Sequence, residues 1–203
     1  MIYTTYPAWV LGFHGCDESV CNDVIHNRSA LRPSINDYDW LGHGIYFWEN
    51  NPLRAYEFAL EQQKRGKVKK PAVVGAIIDL NNCLDMTDLF SLQFVSQVFE
   101  FFQKICEING TVLPVNSGPG SDRPLRKLDC AVIESLHLFV DQNDGYSPYD
   151  SVRGAFIEGP ELFCGSGFRK KDHMQLCIRN TNCIKGYFSP LLNLDEEYRK
   201  ILL

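Results

Sequence analysis

This 203-residue sequence predicts an α+β fold, and three observations carry the prediction. Short apolar runs that suit strands lie before residue 81 and after residue 153. Between them come two long apolar stretches that read as helices. The order is therefore strands, a helical block, then strands, which suits helices inserted between two halves of a sheet. The length fits one domain over residues 1–203, with the helical insertion at about 88–140, and is enough to bury a real core.

Taken along the chain, Val10 to His14 is short, apolar and glycine-flanked, a strand. Asp17 to Asn27 reads as a helix with Val20, Val24 and Ile25 on one side. Arg32 to Trp40 carries Pro, Ser, Asn and Asp and reads as a loop. Gly44 to Trp48 is a second short strand. Asn51-Pro52 opens a helix, since Asn caps well and Pro fits the first turn. It runs through Leu53, Tyr56, Ala59 and Leu60, and Gly66 ends it. Ala72 to Leu80 is a buried-strand candidate between Pro71 and the Asn81-Asn82 pair. Thr87 or Asp88 caps a long helix to about Ile108, expected to be a buried, aromatic-rich core helix. Its Glu100, Lys104 and Glu107 make it too charged to span a membrane. Residues 109–124 read as an exposed loop, Pro124 to Val140 as a second helix, and 141–151 as polar loop. Three late strands follow at Gly154 to Ile157, Met174 to Arg179 and Cys183 to Phe188. Tyr187-Phe188-Ser189-Pro190 closes the core, and a short polar helix ends the chain. There is no internal repeat and no low-complexity linker.

Apolar residues at 45% and aromatics at 12% argue against extensive disorder. A net charge of −5 excludes a protein that binds nucleic acid through its overall charge, although local basic patches at Lys64–Lys70 and Arg123–Lys127 remain open to it. The eight cysteines contain no CxxC pair, and the N-terminus has neither a basic region nor a small-residue cleavage site. Reduced thiols in a cytoplasmic protein, with no membrane partner, are the expectation. His14, Cys16, Cys21 and His26 are close in sequence but fit no common zinc arrangement, so no metal is expected. The absence of Gly-x-Ser-x-Gly, Walker and Gly-x-Gly-x-x-Gly motifs argues against hydrolases of the elbow type and against classical nucleotide folds.

Four segments stand out chemically. They are Gly12-Phe13-His14-Gly15, then Gly42-His43-Gly44-Ile45-Tyr46-Phe47, then Tyr56, and the strand His173-Met174-Gln175-Leu176-Cys177-Ile178-Arg179. In that order they resemble the ADP-ribosyltransferase superfamily, and its poly-ADP-ribose-polymerase-like branch in particular, as a small bacterial or phage-type mono-ADP-ribosyltransferase. The likeness covers residues 10–60 well and 150–188 loosely. It implies an ADP-ribosyltransferase-like split β-sheet sandwich, two packed sheets with NAD⁺ bound as substrate in the cleft between them.

The resemblance also implies roles. Gly15 would offer backbone groups to the nicotinamide carboxamide, and His14 would bond a ribose hydroxyl. Tyr46 and Tyr56 would sandwich the ring, with Gly42 and Gly44 leaving room beside the ribose. His14, Tyr46 and Gln175 are the catalytic candidates; His14, Gly15, Gly44, Tyr46 and Tyr56 bind NAD⁺. The family's late-strand glutamate is matched by Gln175, which can bond hydroxyls but cannot act as a base. That departure turns the expectation from chain formation to a single transfer onto a macromolecule, protein or nucleic acid, and admits a toxin or defence effector. Glu158 is an alternative carboxylate, and Phe168 and His173 are acceptor or auxiliary candidates in and after a loop at 159–172. Alternatives are an NAD⁺ glycohydrolase, an RNA 2′-phosphotransferase, and a module that binds NAD⁺ or ADP-ribose without catalysis.

Overall fold

Seven strands join in one sheet. A computed structural model describes residues 9–118, 123–191 and 193–201. The reading of the N-terminus rests partly on residues 1–8, and that of the 109–124 loop partly on 119–122, which lie outside the described residues. The strands are β1 (Val10–Asp17), β2 (Ile45–Glu49), β3 (Pro71–Ile78), β4 (Cys83–Asp85), β5 (Ser151–Phe156), β6 (His173–Ile178) and β7 (Ile184–Phe188). Their spatial order is β4-β5-β6-β2-β1-β3-β7. Only the β4–β5 pair is parallel. The α+β class holds, with the strand-helix-strand order of the chain. The two packed sheets implied by the resemblance are instead one strand order with a weak seam: β1 and β2 pair at only two positions, Gly12↔Glu49 and Phe13↔Trp48. On the other side, β1 pairs with β3 at eight.

The helices are α1 (Glu18–Ile25), α2 (Pro52–Lys64), α3 (Leu89–Asn109), α4 (Lys127–Asp141) and α5 (Leu194–Ile201). Side chains set their starts. Asp17 accepts from the Ser19 N–H at 3.0 Å, Asn51 from the Arg54 N–H at 3.0 Å, and Asp88 from the Ser91 N–H at 3.0 Å. Gly110 ends α3 at φ 64°.

Three apolar clusters fix the layers. Val24 of α1 packs with Phe47, Val74 and Ile178 on one face of the sheet. On the other face, α2 places Ala55 and Tyr56 against Phe13, Trp48 and Val73. Beyond the seam on that second face, α4 covers Leu84, Val152 and Cys177 with Ile133, Leu136 and Val140. The clusters divide as strand alternation requires, Ile45 and Phe47 to one side, Tyr46 and Trp48 to the other.

The expectation of a buried α3 needs correction. Only Val98 and Cys106 of this helix are buried, while Leu89, Phe90, Phe101 and Ile108 are exposed. The reason is its layer: α3 packs chiefly on α4 rather than on the sheet, so one stripe is covered and the remaining apolar side chains face outward. No described helix is long and apolar enough to cross a membrane. All eight cysteines are free.

Candidate active site

The site begins where the sheet opens. Past Phe13↔Trp48 the two strands part, and a side chain takes over from the backbone ladder: His14 Nδ1 lies 2.8 Å from the Tyr46 carbonyl oxygen. A carbonyl can only accept, so Nδ1 carries the proton, and the neutral ring keeps Nε2 as an acceptor. Burial lowers the His14 pKa and outweighs the opposing effect of that hydrogen bond, which keeps the ring neutral.

Gly15 continues the same opening. The Leu11 carbonyl accepts from the Asn50 N–H at 2.9 Å, so it points toward the β2 side. Backbone groups alternate along a strand, and Gly15, four residues on, turns its N–H and C=O to that side as well. There β2 no longer pairs with it. Glycine is required for packing too, because a Cβ here would stand 2.1 Å from the Ala55 carbonyl oxygen of α2.

Beside this opening lies a cleft of about 370 Å³ that His14, Gly44, Tyr46 and Gln175 all line. Four of the expected site residues, spread over 161 positions of sequence (175 − 14), therefore meet in one place. Tyr46 contributes its ring. Its hydroxyl donates to the Gly42 carbonyl at 2.8 Å and accepts from the Leu41 N–H at 3.0 Å. Burial raises its pKa well above the ordinary tyrosine value. Gln175 lies opposite Trp48 in the β2–β6 register. Its Oε1 accepts from Trp40 Nε1 at 2.5 Å, which orients the amide and leaves its NH₂ end as the donor.

Several cleft residues were not picked out from sequence: Trp40, Trp48 and Phe58, which supply aromatic walls, and Arg32, which supplies a cation beside Arg65 and Lys67 of the basic patch Lys64–Lys70. Among the described residues these three cations have no ion-pair partner, and all are exposed. Asp39 is the lining carboxylate, held by the Asn36 N–H at 2.8 Å. Part of this was readable. Trp48 stands two along from Tyr46 on a strand, hence on the same face. Phe58, Gln62 and Arg65 recur at the four- and three-residue spacing of one helical stripe.

The other expected residues lie elsewhere. Tyr56 does not face Tyr46 across the cleft. It packs edge-on to Tyr198 with ring centroids 6.0 Å apart, and its hydroxyl sits 3.5 Å from Asp195. Tyr56 therefore does not line the cleft with Tyr46 as expected, because α2 turns Phe58 toward the cleft and Tyr56 toward α5. Glu158 is an ion-pair partner, 2.6 Å from Arg54 Nη2. Phe168 is exposed in its loop. His173 is buried, with Nδ1 2.7 Å from the Lys171 carbonyl, and its ring lies 6.0 Å from that of Trp48. None of these three lines the cleft. Among the described residues, no group of three or more His, Cys, Asp and Glu side chains converges as a metal site would.

An α+β protein with an aromatic, cation-rimmed cleft at a seam in its sheet is what fold and site together define. The chain is similar to an uncharacterized protein of Methanocaldococcus jannaschii, 26% identical over 192 residues that cover 85% of this chain and 83% of the relative. No family model matches the chain, and no solved structure matches it.

Proposed function

We propose that this chain cleaves NAD⁺ and transfers one ADP-ribose unit to a macromolecular acceptor, releasing nicotinamide. The convergence of His14, Tyr46 and Gln175 on one cleft carries the reading. Gly15 presents its backbone groups to the nicotinamide carboxamide, and the Tyr46 and Trp48 rings flank the flat heterocycle. His14 Nε2 accepts from a ribose hydroxyl, and the Gln175 amide donates to a ribose oxygen. Arg32, Arg65 and Lys67 stand where they can neutralise the diphosphate.

In the reaction the bond from ribose C1′ to the nicotinamide nitrogen breaks, and its electron pair leaves with nicotinamide. The sugar passes through an oxocarbenium-like state, as in glycoside hydrolysis. A lone pair of the acceptor then bonds C1′, and the acceptor's proton goes to solvent. Gln175 cannot take that proton, which fits a single transfer better than processive chain growth. The neutral Gln175 also favours a second reading, a module that binds NAD⁺ without cleaving it.

The test is incubation of the purified chain with radiolabelled NAD⁺, with and without cell lysate. Label on a macromolecule that His14→Ala, Tyr46→Ala and Gln175→Ala each reduce at least tenfold supports transfer. Free ADP-ribose without labelled polymer identifies a glycohydrolase, and intact NAD⁺ throughout, with binding, leaves the non-catalytic module. Gln175→Glu places a negative charge near the developing cation, and nicotinamide release is expected to rise several-fold. An unchanged rate would show that Gln175 does not contact the ribose.

A further inference from the structure

A second cavity, of about 350 Å³, meets the first at Trp40. Its lining comes from the helical block and the end of β5, which the resemblance leaves without a role. Met86 and Val95, with Val132 and Ile133 of α4, give it an aliphatic floor. Trp40 and Phe156 give it rings, with centroids 5.0 Å apart. The Arg126 guanidinium stacks over Phe156 at 5.3 Å.

Two features tie this cavity to the donor cleft. Trp40 crosses β5 at Gly154, where any Cβ would stand 2.7 Å from the indole. Gly154 is opposite Gln175 in the β5–β6 register, and the indole N–H bonds the Gln175 amide. One indole thus orients the amide at the first cavity with its N–H and walls the second with its ring.

We propose that this second cavity is the acceptor subsite, and that it takes a nucleobase of single-stranded nucleic acid. The inference rests on the NAD⁺ reading above. Beside the aliphatic floor, Trp40 and Phe156 supply aromatic surface on which a base can stack irrespective of its sequence. Its polar edge pairs a donor with an acceptor: Arg126, whose Nε is buried without a partner, beside the Asp129 carboxylate 3.2 Å from Nη1. Arg126 and Asp129 already bond one another, and Asp129 Oδ1 also accepts from Asn116 Nδ2 at 2.7 Å, so a nucleobase edge adds to a polar pair that is held in place. Arg123, exposed and without an ion-pair partner among the described residues, lies three residues along the chain for a strand phosphate. In the transfer, a ring or exocyclic nitrogen of the base gives its lone pair to C1′ as the C1′–nicotinamide bond breaks. Nicotinamide leaves with the bonding pair, and the proton lost from the base nitrogen passes to water.

The test uses the full chain with fluorescent single-stranded DNA and RNA oligonucleotides and with labelled NAD⁺. Val95→Trp fills the cavity from α3, and Arg126→Gln removes the guanidinium. Each is expected to weaken oligonucleotide binding at least tenfold. Each should also cut the ratio of oligonucleotide label to nicotinamide released at least tenfold. Circular dichroism melting controls for folding. DNA and RNA arms show which sugar the strand carries. Equal binding by wild type and both variants, or label confined to protein while NAD⁺ is cleaved, overturns the subsite and leaves the donor reading standing. Failure of the wild type to bind or cleave NAD⁺ in either arm overturns the donor reading, and the acceptor assignment with it.

Discussion

The two sides of the seam are built differently. On one side β1 is laced to β3 at eight positions, and α2 lies so close that Gly15 cannot carry a side chain. On the other, β5, β6 and β2 are covered by α4, and α3 rests outside that with much of its apolar surface uncovered. The first side is held by backbone pairing and close helix approach, the second by side-chain burial in a further layer. Where they meet, backbone pairing nearly stops, and a cleft able to take a ligand opens beside a histidine that replaces the missing ladder bond. Function can sit at such a place because the backbone there is not consumed by pairing.

If pairing across the seam is weak, something else must hold the sides together, and an ion network does so. Arg54 of α2, 8% exposed, reaches Glu158 beyond β5, while Lys171 ahead of β6 reaches Glu61 of α2 at 2.7 Å. Arg54→Ala is expected to cost the most, about 3 kcal/mol, because it strands partly buried carboxylates. Urea denaturation measures it, and a loss below about 1 kcal/mol would mean the clamp is dispensable. Gly15→Ala comes next, at about 2 kcal/mol, since α2 must shift away from its position on β1. If the proposed NAD⁺ reading holds, the same variant should weaken NAD⁺ binding, which calorimetry would read.

A pH dependence separates the sides further. His137 of α4 has both ring nitrogens buried without a partner, and burial lowers its pKa to about 3. Below pH 6.5 the unfolded chain takes up a proton that the folded chain refuses until about pH 3, so stability is full above 6.5 and falls through that window. From pH 7 to 5.5 the loss from this group is about 1.3 kcal/mol. His14 and His173, also lowered by burial, add to it in the same direction. His137→Leu should flatten the curve of unfolding free energy against pH by that share; an unaltered curve would assign the dependence elsewhere. The smallest effect belongs to the outer layer. Phe101→Ser and Ile108→Ser should each change stability by less than about 0.5 kcal/mol, as a thermal melt would show.

Legibility in the sequence follows the same division. Strands and helix caps near the seam were readable, because Asn51-Pro52 and Gly66 punctuate α2, a short apolar run marks β2 and alternation marks β6. The convergence of His14, Gly44, Tyr46 and Gln175 followed from motif order. What stayed hidden was rotation: ten residues after Tyr46, nothing local says whether Tyr56 or Phe58 turns toward the cleft. Burial in the outer layer was misjudged for a related reason, since apolar content shows that a helix wants covering and not how much of it is covered. β4, three residues long, is too short to show a period. Trp40 needed the tertiary fold, its bond to Gln175 spanning 135 positions.

The cysteines leave this protein with a reporter of its own unfolding. Cys164 alone is exposed; Cys83 is intermediate and the other six are buried. Burial pushes the Cys16 thiol up to about 12 and those of Cys83, Cys130 and Cys183 to about 11, so almost none of these sulfurs is thiolate at neutral pH. A thiol-reactive dye should therefore add one equivalent quickly to the native chain and the rest only as structure opens. Dye stoichiometry against time then gives an opening rate without any engineered probe, and the order in which the sites react tells which side of the sheet loosens first.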